Sequence, residues 1–251
     1  MHRFLVTESV LPQAGETFLL SDKLAHQVRD VLHLKVAEHL ILFDNSGEEL
    51  LCTVQTSNRS GVEVQAVERR AGKSESPVRI VLCQGLLKSA RFEWILEKGT
   101  ELGVSTFAPI HCRRSLAGLE EAGSSKQQRW QRIIQEATEQ CGRAHRPELL
   151  PIRSLTQQLQ ALPNDACAII PWEEERKQSL QNVLRSFPLD KVPLTVYLFI
   201  GPEGGLAPEE IMLAQEHGVK SVSLGARILR AETAALAAVA NVMYELEARL
   251  A

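Results

Sequence analysis

Two stretches near the C-terminus decide the reading of this chain: IGPEGGL (Ile200 to Leu206) and LGARILRAETA (Leu224 to Ala234). The first follows Leu194-Thr-Val-Tyr-Leu-Phe-Ile200, an apolar and β-branched run that reads as a buried strand of a parallel sheet. Gly201, Pro202, Gly204 and Gly205 then fall within five positions, so backbone N–H groups can approach a ligand at little steric cost. Gly204 is expected to keep space open for that ligand. Pro208, Glu209 and Glu210 open a helix, where the fixed φ of proline and the acids suit a first turn. The second stretch repeats the plan. A short strand, Lys220 to Leu224, ends at Gly225, and a helix begins near Arg230. Loops at the carboxyl ends of neighbouring strands are where open α/β sheets bind ligands.

The glycine spacing excludes two familiar phosphate loops. No Gly-Lys-Ser/Thr follows the glycines, and the G-x-G-x-x-G order is absent. A nucleotide-dependent enzyme that cradles phosphate with GPEGG is therefore disfavoured.

Working outward, residues from Val78 alternate strand and helix: strand Arg79–Gln84, helix Ser89–Leu102, strand Val104–Ile110, and a long helix from about Ser125 to Cys141. A short helix Leu155–Ala161, a strand Ala166–Pro171, a helix through Val183, the two loop-bearing strands and a final apolar helix Thr233–Leu250 follow. This alternation argues a parallel sheet covered by helices. Residues 1–72 differ in style. Five short strands (Arg3–Val6, Glu16–Leu20, Leu40–Asp44, Leu50–Gln55, Val62–Glu68) and one helix, Ser21 to about His33 with Ser21 as N-cap, predict a small barrel-like β domain. Asn45-Ser-Gly47 and Asn58-Arg-Ser-Gly61 read as hairpin turns, and Ala71 to Pro77 as a linker. The expected domains are residues 1–72 and 73–251.

The 251 residues are 44% hydrophobic and 24% charged, an ordinary globular composition. No apolar run reaches the roughly 18 residues of a membrane span. The N-terminus lacks a full signal-peptide apolar region, so a cytoplasmic location is expected. Five cysteines, widely spaced and without a C-x-x-C pair, read as free thiols, and neither they nor the histidines have metal-site spacing. Net charge is −3, yet residues 73–149 hold 12 Lys/Arg against 9 Asp/Glu. Arg113, Arg114, Arg143 and Arg146 in that third are candidate phosphate contacts, or else solvated arginines. Trp94 and Trp130 fall in helical apolar stripes and are expected in the core.

The paired loops resemble those of the SPOUT superfamily of knotted methyltransferases, and most closely the RsmE family of small-subunit ribosomal RNA uridine-N3 methyltransferases. The resemblance extends over nearly the whole chain. It includes Lys88 with Glu97-Lys-Gly-Thr-Glu-Leu-Gly-Val104, Arg129-Trp130 with Glu136-Ala-Thr-Glu-Gln-Cys-Gly-Arg143, and His26 to Leu32. Three positions depart from the family pattern: His33 stands for Arg, Ala37 for Gly, and Cys141 for a small hydroxyl residue.

The resemblance implies a trefoil-knotted parallel sheet, a PUA-like RNA-binding barrel at the N-terminus, and S-adenosyl-L-methionine as cofactor. It implies three cofactor loops, around Pro171-Trp172, Ile200–Gly205 and Leu224–Ala234. The cofactor residues would be Pro171, Ile200, Gly201, Gly204, Gly205, Leu224, Gly225 and Thr233, with Ile228, Leu229 and Ala234 enclosing the adenine. Ribosomal RNA of the small subunit would be the partner, held by Lys88, Arg91, Arg113, Arg114, Arg143 and Arg146. A homodimer through the final helix is also implied.

Methylation at uridine N3 removes a proton and spreads negative charge onto O2 and O4, which calls for a cation or N–H donors at the developing charge. Arg230 is the candidate. Glu203 and Glu232 either accept a proton or orient Arg230, or they brace the glycine loop and cap a helix. A ribose 2′-O-methyltransferase of the same superfamily and a non-catalytic ribosome-assembly factor are the competing readings.

Overall fold

A computed structural model describes residues 1–6, 11–118, 123–190 and 192–250. The chain forms two compact units, Met1–Glu75 with Thr138–Arg146, and Ser76–Ala137 with Pro147–Ala251.

The first unit is built on strands β1 (His2–Leu5), β2 (Thr17–Leu19), β3 (His39–Phe43), β4 (Glu48–Asn58) and β5 (Gly61–Ala71). They form one sheet in the order β1-β3-β4-β5-β2, with β1 parallel to β3 and the other pairs antiparallel. This corrects the expected barrel: the sheet is mixed and open. Its edge strands are four and three residues long and do not pair with each other among the described residues, so closure fails at the edges. Alternate residues of β4 and β5, among them Leu50, Cys52, Val54, Val62 and Val64, bury one face against Phe4, Leu20 and Val28.

The expected helix from Ser21 is shorter. Helix α1 spans Asp22–His26, and Gln27–Val31 continues it as a π turn. Ser21 occupies the N-cap position but makes no side-chain cap bond. The helix ends because His33 takes φ 54°. Ala37 takes φ 70°, where a Cβ is disfavoured and glycine is easy. The glycine that the resemblance leads one to expect at that position would thus have a backbone reason.

A buried charge cluster orders residues 138–146 within this unit. Arg3 Nη2 donates to Glu49 Oε1 at 2.6 Å and to the Arg143 carbonyl at 3.3 Å. Arg143 Nη2 donates to Glu75 Oε2 at 2.9 Å, and Glu75 Oε1 accepts the N–H groups of Ala144 and His145 at 3.1 Å each.

The second unit alternates β6 (Val78–Gly85), α2 (Ser89–Glu101), β7 (Val104–His111), α3 (Ser124–Cys141, whose last turn belongs to the first unit), β8 (Glu148–Leu149), β9 (Arg153–Ser154) and α4 (Leu155–Gln160). It continues with β10 (Cys167–Pro171), α5 (Leu180–Arg185), β11 (Leu194–Ile200), α6 (Pro208–Glu216), β12 (Lys220–Val222) and α7 (Ala231–Leu250). The sheet is parallel throughout, in the order β12-β10-β11-β6-β7-β8, with β9 also on β7. Both faces are covered, which is why its strands are apolar without alternation. Ile80, Leu82, Val196 and Leu198 face α2, α5 and α7; Cys83, Ile110, Ile170 and Phe199 face α4 and α6. Trp130 is buried against Phe92, with ring centroids 4.5 Å apart. Trp94 departs from expectation: it is 49% exposed on α2, with the Lys98 ammonium 5.2 Å over its ring. Among the described residues no helix is long and apolar enough to cross a membrane.

Candidate active site

Strands β12, β10 and β11 are neighbours and parallel, so their carboxyl ends lie along one edge. Pro171 is level with Val222, and Ile169 with Leu198. The three loops that leave this edge enclose an open cleft of about 250 Å³.

The loop after β10 begins with the Trp172 N–H on the Val222 carbonyl at 3.0 Å. Glu175 holds the rest. Its carboxylate accepts the Ser221 hydroxyl at 2.7 Å and the N–H groups of Lys177 and Gln178 at 2.7 and 3.2 Å. The Ser221 hydroxyl first, then the Lys177 N–H, hold this carboxyl below the usual glutamate range.

The loop after β11 turns within six residues. The Gly205 N–H bonds the Pro202 carbonyl at 2.9 Å, and Gly205 takes φ 71°. Arg114 Nη1 donates to the carbonyls of Gly204 and Leu206, each at 3.3 Å. Beyond the loop, Glu210 accepts the Ala207 N–H at the start of α6 and the Arg113 N–H, both at 2.8 Å. The loop after β12 turns at Gly225, φ 115°, whose N–H bonds the Ser223 hydroxyl at 3.2 Å. Arg227 and Arg230 on this loop are exposed.

Pro171, Ile200, Gly201, Gly204, Gly205, Leu224, Gly225, Ile228, Leu229 and Ala234 all line the cleft, as do Glu203 and Arg230. Thr233 does not; it is exposed on the first turn of α7. A Cβ on Gly204 would lie 3.0 Å from the Cβ and the carbonyl oxygen of Arg114, so a side chain there would press on Arg114. Neither Glu203 nor Glu232 forms an ion pair with Arg230 among the described residues. Both pair with Arg91, at 2.9 Å from Glu203 and 3.7 Å from Glu232. Sequence reasoning missed Glu173, Arg176 and Arg227 on the cleft wall. The signal available was Trp172-Glu-Glu-Glu-Arg176, a charged run directly after a buried strand.

The basic candidates separate. Lys88 is exposed at the N-cap position of α2. Arg113 is exposed and meets Glu209 at 3.3 Å. Arg114 braces the glycine loop. Arg143 is buried on Glu75, and the Arg146 N–H is taken by the Asn45 side chain. The five cysteines form no disulfide among the described residues, and burial pushes the Cys52 thiol up to about 12. No cluster of His, Cys, Asp or Glu among the described residues has the form of a metal site.

The RNA methyltransferase domain family matches residues 74–243 of this chain. Over 254 residues the chain is 30% identical to Ribosomal RNA small subunit methyltransferase E of Bacillus subtilis (strain 168), covering 98% of each. The chain belongs to the ribosomal RNA small subunit methyltransferase E family. Among solved structures, that of Ribosomal RNA small subunit methyltransferase E from Neisseria gonorrhoeae, bound to S-adenosyl methionine, superposes with a TM-score of 0.86 at 29% identity and covers 97% of both chains. A Legionella pneumophila methyltransferase solved with its bound cofactor SAM superposes at 0.79, with 30% identity and 96% of both chains covered. As a member of this family the chain is a methyltransferase, and its loop-lined cleft is the candidate seat of the reaction.

Proposed function

We propose that this protein transfers the methyl group of S-adenosyl-L-methionine to N3 of a uridine in 16S ribosomal RNA of the small subunit. The observation that carries the proposal is the single cleft to which three separate loops contribute, in a family with a cofactor-bound relative. The residues present fit such a ligand. The walls offer backbone groups at Gly201 to Gly205, apolar Ile228, Leu229 and Ala234, and the arginines 176, 227 and 230 at the mouth.

When bound, the cofactor supplies an electrophilic methyl carbon on a sulfonium. N3 gives up its proton, the N3–C bond forms as the C–S bond breaks, and the products are N3-methyluridine and S-adenosylhomocysteine. Arg230 supplies the cation for charge developing on the uracil oxygens. Glu203, which lines the cleft and is paired with Arg91, is the candidate acceptor of the N3 proton. Holding both reactants in line contributes several kcal/mol, up to about 7–11 in favourable cases. N3 is hidden in a Watson–Crick pair, so the target uridine is unpaired or extruded.

The reading extends to a trefoil knot of the SPOUT type, supported by three neighbouring parallel strands whose loops meet at one cleft. It includes RNA contacts by exposed Lys88 and Arg113 and by an N-terminal RNA-binding unit. A cytoplasmic site of action accords with cysteines that form no disulfide among the described residues. A homodimer through α7 is supported by Tyr244, which is 78% exposed, and by the groove it shares with Leu184 and Ala237.

The test uses the purified protein, labelled S-adenosylmethionine and small ribosomal subunits from cells that lack the enzyme, followed by nucleoside mass spectrometry. N3-methyluridine is the expected product. A 2′-O-methylated nucleoside would overturn the base specificity. Cofactor binding without any methylated nucleoside would favour an assembly factor. Sedimentation of a fully active monomer would remove the dimer.

A further inference from the structure

Arg91 belongs to none of the loops that form the cleft, yet it touches two of their ends. It lies in the first turn of α2, and its guanidinium reaches Glu203 Oε1 from Nη1 at 2.9 Å and Glu232 Oε1 from Nε at 3.7 Å. Glu203 sits in the glycine loop after β11. Glu232 sits in the first turn of α7, directly beyond the loop after β12. The two carboxylates are only 20% and 15% exposed, and among the described residues Arg91 is the one cation within ion-pair distance of either. The second oxygen of Glu232 is buried without a hydrogen-bond partner. Two partly desolvated like charges converging on one point repel unless a cation lies between them. A guanidinium serves two carboxylates at once because separate nitrogens of one rigid plane face each; a single ammonium has no such fork.

We propose that Arg91 is a positioning residue. It ties the glycine loop to the loop–helix junction before α7 and so fixes the separation of two walls of the cleft. Through Glu203 it sets Gly204 and Gly205; through Glu232 it sets Arg230, two residues earlier. This assignment also withdraws Arg91 from the residues free to bind RNA phosphate. It rests on the cofactor reading only for its consequence, because the tie itself exists without ligand.

The experiment therefore has two arms, run on full-length wild type, Arg91→Gln, Arg91→Lys, Glu203→Gln and the Arg91→Gln/Glu203→Gln double variant. Hydrogen exchange without ligand should show faster exchange in peptides covering 200–206 and 224–232 of Arg91→Gln, and unchanged exchange in β6 and β7. Calorimetry with S-adenosylmethionine should show about a fivefold loss of affinity in Arg91→Gln, the size of a part-exposed ion pair worth about 1 kcal/mol. Arg91→Lys should recover part of it. Glu203→Gln added to Arg91→Gln should cost less than it does alone, a coupling that a general loss of stability would not produce. Unchanged exchange in both loops overturns the tie. Faster exchange with wild-type affinity overturns its role in shaping the cleft. A wild-type protein that binds no S-adenosylmethionine overturns the cofactor reading and leaves the exchange result to decide the tie. Should Arg91→Gln fail to fold, Arg91→Lys and Glu203→Gln carry both arms.

Discussion

A Cβ on Gly85 would stand 2.5 Å from the backbone nitrogen of Pro202. The end of β6 and the glycine loop after β11 are therefore in backbone contact, and the loop rests on its neighbour strand. Gly85→Ala should push the loop outward, with a stability loss of about 1–3 kcal/mol from overpacking. Cofactor affinity should fall in the same variant. Calorimetry on Gly85→Ala checks this, and wild-type affinity would show that the loop yields without cost to the cleft.

Arg113 and Arg114 are adjacent, and the structure divides their work. Arg114 bonds two carbonyls of the glycine loop, whereas Arg113 meets Glu209 in an exposed pair worth about 0–1 kcal/mol. Arg114→Ala should weaken cofactor binding, a role beyond the phosphate contact or solvated side chain expected of it. Arg113→Ala should leave cofactor binding intact and lower the salt slope of RNA binding by about one per lost phosphate contact. Paired titrations with cofactor and RNA separate the two, and equal cofactor losses in both variants would refute the division.

Arg230 is exposed on the cleft wall and has no ion-pair partner among the described residues. Removing it should therefore spare the fold. Arg230→Ala should lose turnover by about 10²–10³, the usual cost of a donor to a developing anion, with melting temperature unchanged. Arg230→Lys should recover little. A melting temperature that falls while single-turnover rate holds would make this arginine structural.

The Glu75–Arg143 pair gives a pH dependence. Burial pushes the Glu75 carboxyl up, but the Arg143 guanidinium and the His145 N–H outweigh it, and the net position is below the usual glutamate range. A carboxyl depressed in the folded state contributes stability above its unfolded value of about 4.3 and loses it as pH falls through the lower folded value. Glu75→Gln should thus melt below wild type at pH 7, by at least about 1 kcal/mol of stability. The gap should close as pH drops below about 4. A gap that is constant with pH would mean that the carboxylate charge contributes nothing.

Ala37 holds a left-handed backbone that favours glycine. Ala37→Gly should stabilise the protein by about 0.5–1 kcal/mol in chemical denaturation, the relief of the Cβ clash outweighing glycine's greater unfolded entropy. Destabilisation would show that the position tolerates its Cβ.

The loops were legible because glycine and proline after a buried β-branched run leave few backbone options. Ten of the eleven cofactor candidates line the cleft for that reason; Thr233, exposed on the first turn of α7, does not line it. Pairings across the sequence were not legible. Glu75 and Arg143 are 68 positions apart, and Arg91 and Glu203 are 112 apart, so nothing local marks these arginines as engaged. Trp94 misled because α2 carries apolar residues on more than one side, and periodicity alone does not say which side faces the sheet. The barrel failed for a similar reason: five short strands specify a β domain, but closure depends on whether the edges meet.

The three tryptophans occupy three different surroundings, one sealed in the core, one on the solvent side of α2 and one, Trp172, on the wall of the cleft. Their light is therefore separable. Emission from Trp130 is fixed by packing and that from Trp94 by water, while Trp172 is the one of the three that lines the cleft and should respond when it fills. With Trp94→Phe as background, intrinsic fluorescence becomes a label-free gauge of cleft occupancy that the fold itself supplies.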